Sequence, residues 1–166
     1  MVLISTQIEI AAPPERVREI LLDFPRLNEW HQSGHFKSIE IAARKTEGVL
    51  SVGDKLKVVM EEMTFTPVIL KNDPSELKWR GSLPLIFTGD HSYRFLPSET
   101  IPGGTLFIQE ENFTGLLSPV MKVKEGKRDF AWKNLRGFEG LNADLKAEAE
   151  RVVGIGEGRR EGEGGL

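Results

Sequence analysis

The sequence contains no cysteine, which removes disulfides, thiolate nucleophiles, iron–sulfur clusters and thiolate zinc sites together. It also lacks a strong charge of either sign. The formal net charge is −3 over 166 residues, too weak a field to draw in nucleic acid or an acidic membrane surface. Its first residues, MVLISTQIEI, have no basic leading segment, and Gln7 and Glu9 interrupt their one apolar run, so they do not suit a secretory signal. No window approaches the about 20 apolar residues of a transmembrane helix. A cytoplasmic protein with no membrane span and no nucleic-acid partner is the expectation. The histidines at 31, 35 and 91 have no metal-ligand spacing, the glycines at 103 and 104 precede no helix that would cradle a phosphate, and no serine sits in a nucleophile elbow. Neither a metal nor a cofactor is expected, and covalent catalysis has no visible nucleophile.

What is present is one domain's worth of chain, long enough to bury about two-thirds of its unfolded surface. Residues 2–10 alternate weakly as a strand. In "AAPPERVREILLDFPRLNEW" two prolines open a helical segment with Val17, Ile20 and Leu21 at helical spacing, and Pro25 ends it or begins a second short helix. Residues 36–41 and 55–61 read as strands across a loop at 43–54, and "FTPVILKN" and "LKWRGSL" as strands around the turn "DPSE". Residues 86–95 and 105–114 form two more strands around "LPSETIPGG", whose prolines and glycines cannot extend a ladder. From Asp129 to Val153 the period becomes helical, with Ala131, Leu135, Phe138, Leu141, Leu145, Ala149 and Val152 on one stripe. Gly137 and Gly140 lie off that stripe and point to a bend. The domain is expected to span 1–153, and residues 154–166, rich in Gly, Glu and Arg, to form a flexible tail. The order is α+β: a seven-stranded antiparallel sheet curved around a long C-terminal helix, with two short helices after the first strand. Such a sheet covers its middle poorly, so a pocket is a natural by-product.

The segments "IEIAAPPERVREILLDFPRLNEW", "GVLSVGDKL", "LKWRG", "GDHSYRF", "QEENFTGLL" and "FEGLNADLKAEAE", in that order over residues 3–152, resemble the START-like, SRPBCC superfamily (Bet v 1-like), in particular its polyketide cyclase/dehydratase-like branch. The resemblance implies a helix-grip fold with a deep cavity for a hydrophobic small molecule, and a monomer or homodimer. It leaves the chemistry open, since the fold hosts carriers, receptors, cyclases and oxygenase domains; the Rieske branch, which needs cysteines, is excluded.

In "GDHSYRF" alternate residues share a face, so His91, Tyr93 and Phe95 point one way while Asp90, Ser92 and Arg94 point the other. Pairing this strand with 105–114 brings His91 opposite Glu110 or Glu111. Phe107, Gln109, Glu111 and Phe113 share the apolar parity, which selects Glu111. An adjacent carboxylate raises the pKa of an imidazole and burial lowers it. His91 and Glu111 are thus the candidate acid–base pair, with a structural hydrogen-bonded pair as the rival reading. The expected ligand-facing residues are Trp30 at the cavity mouth, Trp79, Tyr93, Gln109 and Phe113 on the sheet, and Asn134, Phe138 and Asn142 on the long helix; His31 is expected to be exposed. Two functions stay open: cofactor-free cyclisation, dehydration or isomerisation of a polyketide-like or aromatic metabolite, or non-catalytic carriage of a lipid or hydrophobic metabolite. An interaction module is a third, for which no surface is marked.

Overall fold

The structure, a computed structural model, describes residues 1–43, 49–61, 63–83, 87–116, 118–124 and 130–163. Part of the expected loop at 43–54, and Asp129 at the expected helix start, lie outside them. The first strand, β1 (Val2–Ile10), leads into α1 (Pro14–Leu22), a 3-10 turn at Phe24–Arg26 and the single-turn α2 (Leu27–Trp30). Pro14 opens α1, where its missing N–H costs nothing, and Val17 and Leu21, one turn apart, are buried. Strands β2 (Phe36–Ala43), β3 (Lys55–Met60), β4 (Thr64–Phe65), β5 (Val68–Asp73), β6 (Glu76–Leu83), β7 (Phe87–Pro97) and β8 (Thr105–Thr114) follow. The long helix α3 (Phe130–Glu163) closes the chain.

Seven strands lie in the order β1-β8-β7-β6-β5-β3-β2, and the two-residue β4 pairs with β3 off this path. Every pairing is antiparallel. The β5–β6 hairpin turns on Asp73, whose Oδ1 accepts from the backbone N–H groups of Ser75 and Glu76 and from the Ser75 hydroxyl. Those bonds, the Ser75 hydroxyl first, hold the Asp73 carboxyl down at about 2. This is the α+β helix-grip arrangement that the residue pattern implies. No helix among the described residues is long and apolar enough to cross a membrane.

The core lies between the concave face of the sheet and α3. Ala131, Phe138, Leu141, Leu145 and Ala149 are all buried on the helix side, as their spacing predicts, with Asn134 and Asn142 buried among them. One expectation for α3 changes. The helix does not stop at Val153 but runs on to Glu163, since an established helix propagates without a new nucleus. A Cβ on Gly137 would lie 1.9 Å from His35 Nδ1, and one on Gly140 would lie 2.7 Å from Ser33 Oγ, so both glycines are shallow grooves that let the segment 31–35 lie directly on the helix backbone.

Candidate functional site

The registers stack the inward-facing side chains of β6, β7, β8 and β1 into rows across the sheet. One row is Phe95–Phe107–Ile8 and the next Leu77–Tyr93–Gln109–Thr6. Then comes Trp79–His91–Glu111–Ile4, and last Gly81–Gly89–Phe113–Val2. The pairing of His91 with Glu111 is the one parity selects. The cross-strand pair Gly81 and Gly89 supplies no side chain to its row, and a hollow results. A Cβ on Gly89 would come within 2.6 Å of Glu111 Oε1, and one on Gly81 within 3.1 Å of the Phe65 ring.

The hollow has a volume of about 40 Å³ and is bounded by His91, Glu111, Phe113, Phe138 and the two glycines, among others. It shares His35, Met60, Met63, Phe130 and Asn134 with an outer cleft of about 320 Å³ that reaches Trp132 and Arg136 on α3. Of the residues expected to face a ligand, Phe113, Asn134 and Phe138 line the hollow with His91 and Glu111. Trp79, Tyr93 and Gln109 lie in the two rows that close it off, at most 1 % exposed. Trp30 borders a separate groove with Arg16 and Glu148. Asn142 borders another beside β1, where it donates to Thr6 Oγ1 at 3.0 Å. The hollow is therefore confined to one end of the concave face.

His91 is held on all sides. Its ring stacks on Tyr93 at 4.4 Å between centroids, meets the edge of Trp79 at 5.4 Å and touches Phe138 at 4.7 Å. Gln109 Nε2 donates to His91 Nε2 at 2.9 Å, which assigns the ring proton to Nδ1, and Nδ1 stands 3.8 Å from Glu111 Oε2. Asn134 Nδ2 donates to the same Oε2 at 3.4 Å. Burial dominates both titrations: it drives His91 well below its ordinary range and lifts the Glu111 carboxyl to about 8, against the opposing Asn134 bond. At neutral pH the pair is thus a neutral imidazole beside a carboxylic acid, not an ion pair. An acid with that pKa can lend its proton and take it back within the ordinary pH range.

His31 is buried, 5 % exposed, rather than exposed as expected. Its Nε2 accepts the Phe36 N–H at 3.1 Å, and its Nδ1–H donates to Asp144 Oδ2 at 3.0 Å. The same Oδ2 accepts Ser33 N–H at 2.8 Å and Ser33 Oγ–H at 2.7 Å. With its Nε2 already committed to the backbone, this Ser–His–Asp group has no general base; it pins residues 31–35 to α3. Sequence reasoning missed His35, Met60, Met63, Phe65, Gly81, Gly89 and Phe130 as lining residues. The two glycines carried a signal, since each sits on an inward parity position in a strand, where glycine marks a close approach, and Met60 shares the parity of Leu56 and Val58 on β3.

A family model described as polyketide cyclase / dehydrase and lipid transport matches residues 1–150. Comparison with curated protein sequences finds no match. Among solved structures, a START superfamily protein from Mycobacterium smegmatis is 19% identical, with a TM-score of 0.64 over 90% of this chain and 98% of that one. The Zhui aromatase/cyclase from Streptomyces sp. R1128 is 16% identical, with a TM-score of 0.65 over 92% and 95%. The di-domain ARO/CYC StfQ from the steffimycin biosynthetic pathway is 15% identical, with a TM-score of 0.60 over 92% of this chain and 53% of that one. These likenesses show the same fold.

Proposed function

We propose, from the premise that this chain belongs to the polyketide cyclase / dehydrase and lipid transport family, that it binds an apolar small molecule end-on in the hollow and dehydrates or cyclises it by proton transfer at Glu111. The observation that carries this reading is the Glu111 carboxyl itself, lifted to about 8 by burial and set on the wall of a mostly apolar space. For a β-hydroxyketone the step balances with one group. Ionised Glu111 takes the proton from the carbon between carbonyl and carbinol, and the electron pair moves into the enolate. The same carboxyl, now protonated, returns that proton to the departing hydroxyl. A carbon–carbon double bond forms, the carbon–oxygen bond breaks, and water leaves. His91 Nδ1–H and Asn134 Nδ2–H face Glu111 Oε2 and stabilise the carboxylate while it is charged.

Carriage without turnover is the second reading, and one observation favours it: both ring nitrogens of His91 face protein groups, Gln109 and Glu111, so the imidazole has no free position for a substrate. The two readings part on one measurement. With 4-hydroxy-4-phenylbutan-2-one as probe, the rise in ultraviolet absorbance of the conjugated enone reports dehydration. Wild type is expected to accelerate it, Glu111→Gln to lower kcat by about 100-fold or more, and the rate to rise with pH towards 8. Equal rates for wild type and variant overturn the acid–base role. Native mass spectrometry that then found an apolar molecule bound would leave carriage.

A further inference from the structure

Among the described residues, several buried side-chain atoms lack a hydrogen-bond partner, and His35 Nε2 is the one that belongs to a residue lining the hollow and its outer cleft. Buried polar atoms are normally paired, so an orphan on a residue that lines both spaces invites a bound molecule as its partner.

The ring is also pre-positioned. The segment that carries it is tied to α3 by the three bonds that Asp144 Oδ2 accepts and turns at Gly34, whose φ of 68° favours glycine. His35 then packs edge-on against Phe36 at 4.7 Å and Phe138 at 5.7 Å, while its Nδ1 side lies in the groove that Gly137 leaves open. Burial keeps the imidazole neutral, at about 4, so Nε2 offers either a proton or a lone pair. Its position is the boundary between the two spaces, and their sizes decide what crosses it. The inner one, about 40 Å³, admits only the end of a molecule, and the rest must pass His35 into the cleft of about 320 Å³.

We propose that His35 Nε2 is a second polar contact for the ligand, binding an oxygen on the portion that crosses this boundary. The ligand class is then an elongated apolar molecule with one oxygen at its inserted end, towards Glu111, and another further along its chain. This rests on the end-on binding proposed above.

Two probes share one carbon skeleton: 5-phenylpentan-2-one has the inner oxygen only, and 1-phenylpentane-1,4-dione has both. Neither has a β-hydroxyl to eliminate. Calorimetric titration of the full chain at pH 7 is expected to show the dione bound about tenfold more tightly than the monoketone, the size of one net hydrogen bond. His35→Phe, which keeps the ring contacts with Phe36 and Phe138, is expected to bind the two equally. In wild type the dione, but not the monoketone, is expected to shift the His35 Nε2 nitrogen resonance, a readout that does not depend on any variant folding. A dione preference that survives His35→Phe, or an unmoved resonance, overturns the assignment while the end-on reading stands. Failure of wild type to bind either probe overturns both.

Discussion

The two ends of the concave face are made from the same strands in the same register, yet one is solid and the other is hollow. At the solid end Ile10, Phe95 and Phe107 form one cluster with Leu145 and Ala149 of α3. At the hollow end the corresponding positions are Gly81, Gly89 and Phe113 on the sheet, with Asn134 and Phe138 on the helix. Neither end needs a different backbone. The difference lies in side-chain volume, two glycines on the sheet with Asn134 and Phe138 on the helix, so the hollow is a matter of residue choice.

The largest test of that contrast removes one ring from each end. Phe107→Ala is expected to cost about 3–5 kcal/mol of unfolding free energy, and Phe113→Ala, which already borders a void, about half as much. Urea denaturation measures both, and equal losses would mean that the hollow end is packed as tightly as the other.

A smaller effect follows from the charge at the hollow end. Glu111 ionises at about 8 in the folded chain and near its ordinary 4.5 when unfolded, so between those values the folded state holds the extra proton. Stability must fall as pH climbs through that window, by up to about 1.4 kcal/mol per unit. The three histidines act in the opposite sense. All are lowered in the fold from 6.5, so the unfolded chain holds their protons and stability rises with pH up to that value. Wild type is expected to be most stable near pH 6.5 and to weaken from there to about 8, whereas Glu111→Gln should stay level over the same range. A wild-type plateau there would show that Glu111 is not held protonated. The smallest change makes the hollow end more like the solid one: Asn134→Leu exchanges a buried amide with a 3.4 Å bond for hydrocarbon and is expected to add about 1 kcal/mol. A loss of stability would mean that the amide is better satisfied than its geometry suggests.

These contrasts also mark what the residue pattern could reveal. The His91–Glu111 register followed from period-two alternation on either side of a loop that cannot extend a ladder, because parity is local information. Depth is not. Trp79, Tyr93 and Gln109 share the inward parity of His91 and Glu111, but whether such residues line a hollow or stop it depends on what α3 sets opposite them. His31 looked exposed because it follows the short helix, whereas its partner Asp144 stands 113 residues away. His35 and Met63 lie in irregular segments with no period to read, and Met60 closes β3 on the parity of Leu56 and Val58. Gly137 and Gly140 looked like flaws in a helix until Ser33 and His35 were seen resting on them.

Asp144 ties the segment after α2 to α3, and that has a bearing on how the hollow comes into being. The wall contributed by Phe138 and the anchor that seats residues 31–35 both belong to α3, which leaves the ribosome after every strand of the sheet. A nascent chain can pair its early hairpins, but the pocket has no roof and no rim until the helix docks over more than a hundred residues of intervening sequence, a slow kind of closure. Truncation ahead of residue 138 would therefore leave an open sheet, so the hollow forms only after the strands that floor it.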